Sequence, residues 1–219
     1  MTRIAVIGAS GNLGRALVGQ ALDRDMGVTA LSRTITRSTP DARARAVDAS
    51  DDDHETLVRE FAGVDAVVLV FPPSLQHPED YPEQVRRVFG AARDAGVPRL
   101  IGLVGSAGAL TAHGIHLVDT DYFQETTRHF YQSVHAAWDV YRGETRPDWV
   151  TFVPAARMQV HLADRGTYRT RTDEQLVTTD DSSWRFFDVS QISYGDCARA
   201  MLDEIDRPAH SREFVTIGW

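Results

Sequence analysis

The sequence contains no lysine: all 23 of its basic residues are arginine. Any mechanism that needs an ε-amino group, as general base, Schiff-base nucleophile or ribose anchor, is thereby excluded. A single cysteine, Cys197, rules out an internal disulfide and fits a reducing, cytoplasmic setting. It lies among Ala198, Met201 and Leu202 in a helical pattern and reads as a packed small hydrophobe, not a reactive thiol. No stretch approaches the ~20 apolar residues of a membrane span, and the run from Ile4 to Ile7 is too short for a signal-peptide core. Positive charge is outweighed: the net charge of −8 opposes a phosphate backbone, so neither nucleic acid nor membrane is an expected partner. Aromatic residues are scarce in the first 120 positions, where only Phe61, Phe71, Tyr81 and Phe89 occur. The rest fall in 121–219, consistent with either a bulkier core there or an aromatic-lined pocket for a flat ligand. Oligomeric state is not legible.

What is present is an alternation of short apolar runs with helical patterns. Strands are predicted at 3–7, 28–32, 44–47, 65–71, 99–104 and 149–153, and helices at 12–24, 53–62, 80–95 and 121–142. Ala66-Val67-Val68-Leu69-Val70 is apolar throughout, as in a parallel strand covered on both faces. Leu13, Ala16, Leu17, Ala21 and Leu22 make a helical stripe; Phe123, Phe130, Val134, Ala137, Trp138 and Tyr141 make another. Asp51 to Asp53 stand where they cap the helix at 53–62. Ser193 with Asp196 matches a capping pattern for a further helix, and 214–217 reads as a last strand. The rhythm predicts one α/β domain over 1–219, a doubly wound parallel sheet of Rossmann type. Residues 1–155 form the nucleotide-binding core, and 156–219 are expected to be mainly a small substrate-side elaboration.

The strongest local signal is Gly8-Ala9-Ser10-Gly11-Asn12-Leu13-Gly14, between a strand and a helix. Gly8 suits a tight turn, Gly11 a close approach of backbone to a diphosphate, and Gly14 close helix–sheet packing. The helix N-terminus then offers free N–H groups to the phosphates. NAD-binding folds place an acid about 20 residues further on, at the end of the second strand. Here Ser32 and Arg33 stand there, with Arg37 following, and a guanidinium favours a 2′-phosphate, hence NADP. Asp48 is expected near the adenine amino group; Phe71, Pro72, Pro73, Ser106 and Pro154 are expected near the nicotinamide.

These residues resemble the short, atypical branch of the short-chain dehydrogenase/reductase superfamily, its NAD(P)H-binding flavin-reductase-like and biliverdin-IXβ-reductase-like members. The likeness spans nearly the whole chain. It rests on the glycine turn, on Arg99 to Gly108, on Asp148 to Ala156, and on the tail from Ile192 to Asp196 with Pro208, His210 and Phe214. It implies binding of NADPH and hydride transfer to a planar acceptor, or alternatively a non-catalytic NADP-sensing regulator or an isomerase or tailoring enzyme. Most of the superfamily uses Ser with Tyr-x-x-x-Lys. Ser106 matches the serine, but Tyr131 is followed four residues on by His135. Both side chains share a helix face, and Ser106, Tyr131 and His135 are the candidate catalytic set. Direct hydride transfer to an electron-poor ring asks mainly for stacking, orientation and exclusion of water, and so tolerates the missing lysine. His113-x-x-His116 lacks a third ligand, so no metal is expected. Gly105 to Gly108 lacks the full hydrolase Gly-x-Ser-x-Gly. Arg165 to Arg169 resembles the family's hairpin beside the substrate pocket; a plain turn would read the same way.

Overall fold

A computed structural model of the chain describes residues 1–33, 41, 43–49, 53–120, 125–180 and 186–219. In chain order the regular elements are β1 (Arg3–Ile7), α1 (Asn12–Asp23), β2 (Gly27–Ser32), β3 (Arg45–Asp48), α2 (His54–Phe61), β4 (Ala66–Leu69), α3 (Tyr81–Asp94) and β5 (Arg99–Leu103). They continue with α4 (Glu125–Gly143), β6 (Asp148–Pro154), β7 (Arg157–Met158), β8 (Arg169–Arg171), α5 (Phe186–Val189), β9 (Gln191–Ile192), α6 (Tyr194–Asp206) and β10 (Glu213–Gly218). Eight strands form one sheet in the order β3-β2-β1-β4-β5-β6-β10-β8. All pairs are parallel except β10 with β8. This is the doubly wound α/β sheet that the alternation predicts.

The apolar runs explain the layering. In β1, Ile4 and Val6 point to one core, and Ala5 and Ile7 to the other. β4 divides the same way, Ala66 and Val68 against Val67 and Leu69. Side chains alternate across a strand, so a strand covered on both faces must be apolar at every position. Helices α1 and α6 pack together over one face; α2, α3 and α4 cover the other. On the second face Trp138 stacks on Phe214 at 4.2 Å and 10°, a pairing worth about 0.5–1.5 kcal/mol beyond its buried area.

Two expectations shift. The strand expected at 65–71 ends at Leu69, and the helix expected from 121 is described from Glu125; residues 121–124, with Phe123, lie outside the described residues. Much of 156–219 belongs to the core and is not a substrate-side addition. β10 inserts between β6 and β8, and α6 covers α1. Cys197 is fully buried there, and burial pushes its thiol up to about 12, so it packs and does not react.

The two ends of the sheet differ. At the strand N-termini, Arg99 reaches Asp148 Oδ2 at 2.5 Å and the buried Glu204 Oε1 at 2.6 Å, tying β5, β6 and α6 together. At the strand C-termini the sheet opens into a cleft.

Candidate functional site

The turn after β1 is fixed by three glycines for three reasons. Gly8 has φ of +90°, a region that side chains avoid, and its N–H donates to Leu31 O. At Gly14 a Cβ would sit 2.1 Å from Gly8 O and 2.7 Å from Ala9 Cα. Only glycine lets α1 lie that close. Gly11 is less confined, its Cβ position being 3.3 Å from Gly8 O; its N–H donates back to that oxygen at 3.0 Å. Gly11 is also the N-cap of α1, with no side chain capping the helix and no acid in the first turn. By contrast α2 is capped by Asp53, which accepts from Thr56 N at 2.8 Å, and α6 by Ser193, which accepts from Asp196 N at 3.0 Å. Asp51 and Asp52 lie outside the described residues. The open first turn of α1 presents N–H groups and a positive dipole end to the cleft, the requirement for an anion.

A cavity of about 190 Å³ lies beside this turn, lined by Gly8, Ser10, Gly11, Ser32, Arg33, Ala49, Phe71, Pro72 and Gln84 among others. Ser10 and Ser32 share a hydrogen bond of 2.5 Å between their hydroxyls, which ties the glycine turn to the end of β2. Arg33 is exposed at the rim. Arg37 lies outside the described residues. Asp48 ends β3 opposite Ser32 but is exposed, and the cavity is lined by Ala49 beside it instead. Asp48, expected near the adenine, stands beside the lining and not in it.

Past Phe71 and Pro72, which line both spaces, a second cavity of about 470 Å³ opens. It gathers Asn12, Leu13, Pro73, Ser106, Tyr131 and Pro154 from the expected set. Tyr81, Phe130, Val134, Met158 and Tyr194 also line it, and none of these stood in the site set expected from sequence. Their contribution comes from how distant elements meet, with Tyr194 arriving on the first turn of α6. The lining carries no charged side chain among the described residues. Tyr81 is fully buried, its ring edge-on to Phe71 at 5.7 Å, and burial holds its hydroxyl protonated.

Ser106 opens a single 3₁₀ turn after β5, and its neighbours explain the Gly-Ser-Ala-Gly run. A Cβ at Gly105 would meet Val134 at 2.8 Å, and one at Gly108 would meet Trp138 at 2.6 Å. Val134 and Trp138 are one helical turn apart, so α4 rides directly on the two glycines. Trp138 Nε1 donates to Gly105 O at 3.3 Å. The run is a packing device that seats the Ser106 loop against the helix bearing Tyr131, and not a nucleophile elbow.

His135 corrects the expected set. It lies outside the lining of either cavity, its ring 5.0 Å from that of His116. Burial, then the charge of His116, lowers its pKa from 6.5. His116 in turn has Nδ1 2.7 Å from Gly108 O. Among the described residues no three metal-ligating side chains converge. Arg165 and Gly166 are held by backbone N–H bonds of 2.7 and 2.9 Å to the buried Asp196 carboxylate, which also accepts from Trp219 Nε1 at 2.9 Å. That loop is anchored on α6 as a turn and does not line either cavity.

The comparisons with known proteins agree with this geometry. A family described as NAD(P)H-binding matches residues 8–208. The chain belongs to that family. It is 26% identical to the oxidoreductase ptaF of Pestalotiopsis fici, covering 100% of this chain and 84% of ptaF. It superimposes on a solved Bacteroides thetaiotaomicron protein provisionally named an epimerase, with 28% identity, TM-score 0.86 and coverage of 100% and 97%. A Streptococcus pneumoniae protein provisionally named an NADH-flavin reductase shares the fold, with 22% identity, TM-score 0.83 and coverage of 100% and 99%. Among the described residues no helix is long and apolar enough to cross a membrane.

Proposed function

We propose that this protein is an NADPH-dependent reductase that delivers hydride to a flat conjugated acceptor of flavin, quinone or enone type. The observation that carries the reading is an open apolar cavity of about 470 Å³ continuous with the uncapped end of α1. A sensor with no substrate has no need of that space. The dinucleotide fits the residues present: Gly8 and Gly14 let the turn and α1 pack where a Cβ would strike backbone, and the first turn of α1 has N–H groups to spare.

When bound, the reduced nicotinamide supplies a hydride from its C4 carbon. The backbone at Gly8 to Gly14, with Ser10 and Asn12, binds the diphosphate. Arg33, beside Ser32 and with Arg37 following, pairs with the 2′-phosphate, a charge-assisted contact that a carboxylate at the same place would oppose. Phe71, Pro72, Pro73 and Pro154 pack the nicotinamide end, while Leu13, Val134 and Met158 exclude water. Ser106 and Tyr131 present hydroxyls to the acceptor's oxygen. No lysine stands by to activate Tyr131 as a base, so it serves as a hydrogen-bond donor, and solvent completes protonation. The oxidoreductase name of ptaF supports the same reaction class.

NADPH oxidation should be followed at 340 nm with free flavin, a small quinone and an enone. Turnover with at least one is expected. Tight NADPH binding with all three flat would replace this reading with the cofactor-sensing regulator.

A further inference from the structure

We propose that the Gln84 carboxamide reads the adenine of the bound dinucleotide, the role first expected of Asp48; the inference rests on the dinucleotide reading above. Gln84 lies in the first turn of α3, half-buried, and lines the phosphate-side cavity together with Ser32 and Arg33. Its amide makes no hydrogen bond to another described residue. The other polar groups of that lining are spoken for or of the wrong kind. Ser10 and Ser32 hydrogen-bond each other. Arg33 offers donors alone and stands at the ribose side.

With the diphosphate at Gly8–Gly11 and the ribose beside Arg33, the base extends over Ala49, a small buried residue whose N–H is bound to Ser32 O. That places a flat apolar floor under the ring and α3 at its edge. Adenine presents an amino donor next to a ring-nitrogen acceptor on either of its polar edges. A carboxamide presents the complementary acceptor and donor side by side. Asp48 offers acceptors alone and lies outside the lining.

The test is calorimetric titration of the full chain with NADPH and with the analogue in which unsubstituted purine replaces adenine. The analogue loses the amino donor and adds no bulk. The parent should bind the analogue about fivefold more weakly, the worth of one hydrogen bond. Gln84→Met should bring the two ligands to within about twofold, and Asp48→Asn should keep the parent's preference. Gln84→Ala gives the same readout should the Met variant melt early. Equal binding of both ligands by the parent overturns the proposal, as does a preference that survives both Gln84 variants. Failure of the parent to take up either ligand is a different result: it sinks the phosphate-site reading, and the base assignment with it.

Discussion

At the phosphate end the cleft presents backbone: a left-handed glycine, a helix whose first turn is uncapped, and a carbonyl packed where any Cβ would collide. At the acceptor end it presents side chains: Ser106 and the tyrosines at 81, 131 and 194 among proline, aromatic and aliphatic walls. The glycine turn of the first end is one contiguous stretch of seven residues, whereas the second end is made by elements as far apart as α1 and α6. A backbone site is rigid and indifferent to what its neighbours carry, but it fails at once when a Cβ is added. A side-chain site can be altered atom by atom while the fold stands. Binding and specificity for the acceptor are thus separable here by mutation.

The largest effect should come from breaking the backbone end. Gly14→Ala drives a Cβ into Gly8 O at 2.1 Å, and neither partner is a movable side chain. Chemical denaturation should show a loss of about 3 kcal/mol, with dinucleotide uptake abolished. A near-neutral result would mean that α1 can withdraw from the turn. Next is Tyr131→Phe, which touches the other end alone: kcat should fall about 100-fold while the dinucleotide Kd measured by fluorescence titration stays put. If Kd moves as much as kcat, the two ends are not independent. Arg33→Ala should weaken NADPH about tenfold and leave NADH nearly unchanged, which titration with both cofactors will read.

The smallest effect is expected at His135, which lies outside both ends. Its pKa is held below 6.5 by burial and by His116, so below that pH the unfolded chain binds more protons than the folded one. Stability attributable to it is present above pH 6.5 and is lost as pH falls through that value. His135→Gln should flatten the fall in Tm on acidification and leave turnover unchanged. A large drop in kcat would return His135 to the catalytic set.

The contrast between the ends also decides what could be read from sequence. The phosphate end was legible because its determinants are local: Gly8, Gly11 and Gly14 in register with a strand and a helix. The parallel sheet was legible because apolar runs at Ala66 and Ile4 announce strands with two covered faces. Ser106 and Pro154, at or just past strand ends, and Tyr131, picked out by its spacing on a helix, line one cavity as the sequence led one to expect. Tyr194, Met158 and Phe130 were not named for the site, since an excess of aromatics in 121–219 does not say which of them face a cavity that three separate elements close. His135 misled because helical spacing puts it on the face of Tyr131, whereas the residue one turn along meets His116 and not the cleft. Asp48 shows a related limit of strand pairing: it fixes the strand but not which neighbouring side chain faces the cavity, and there Ala49 lines it.

The position of β10 has a consequence for how the polypeptide is made. Its pairing partners are β6 on one side and β8 on the other, yet it is the last of the strands to be synthesised. The short segment Arg169–Arg171 emerges from the ribosome some forty residues ahead of β10, with which it pairs, a wait of a few seconds at ordinary elongation rates. Until β10 is made, the edge of β6 that it pairs with, from Val150 to Pro154, has no strand to receive its backbone hydrogen bonds.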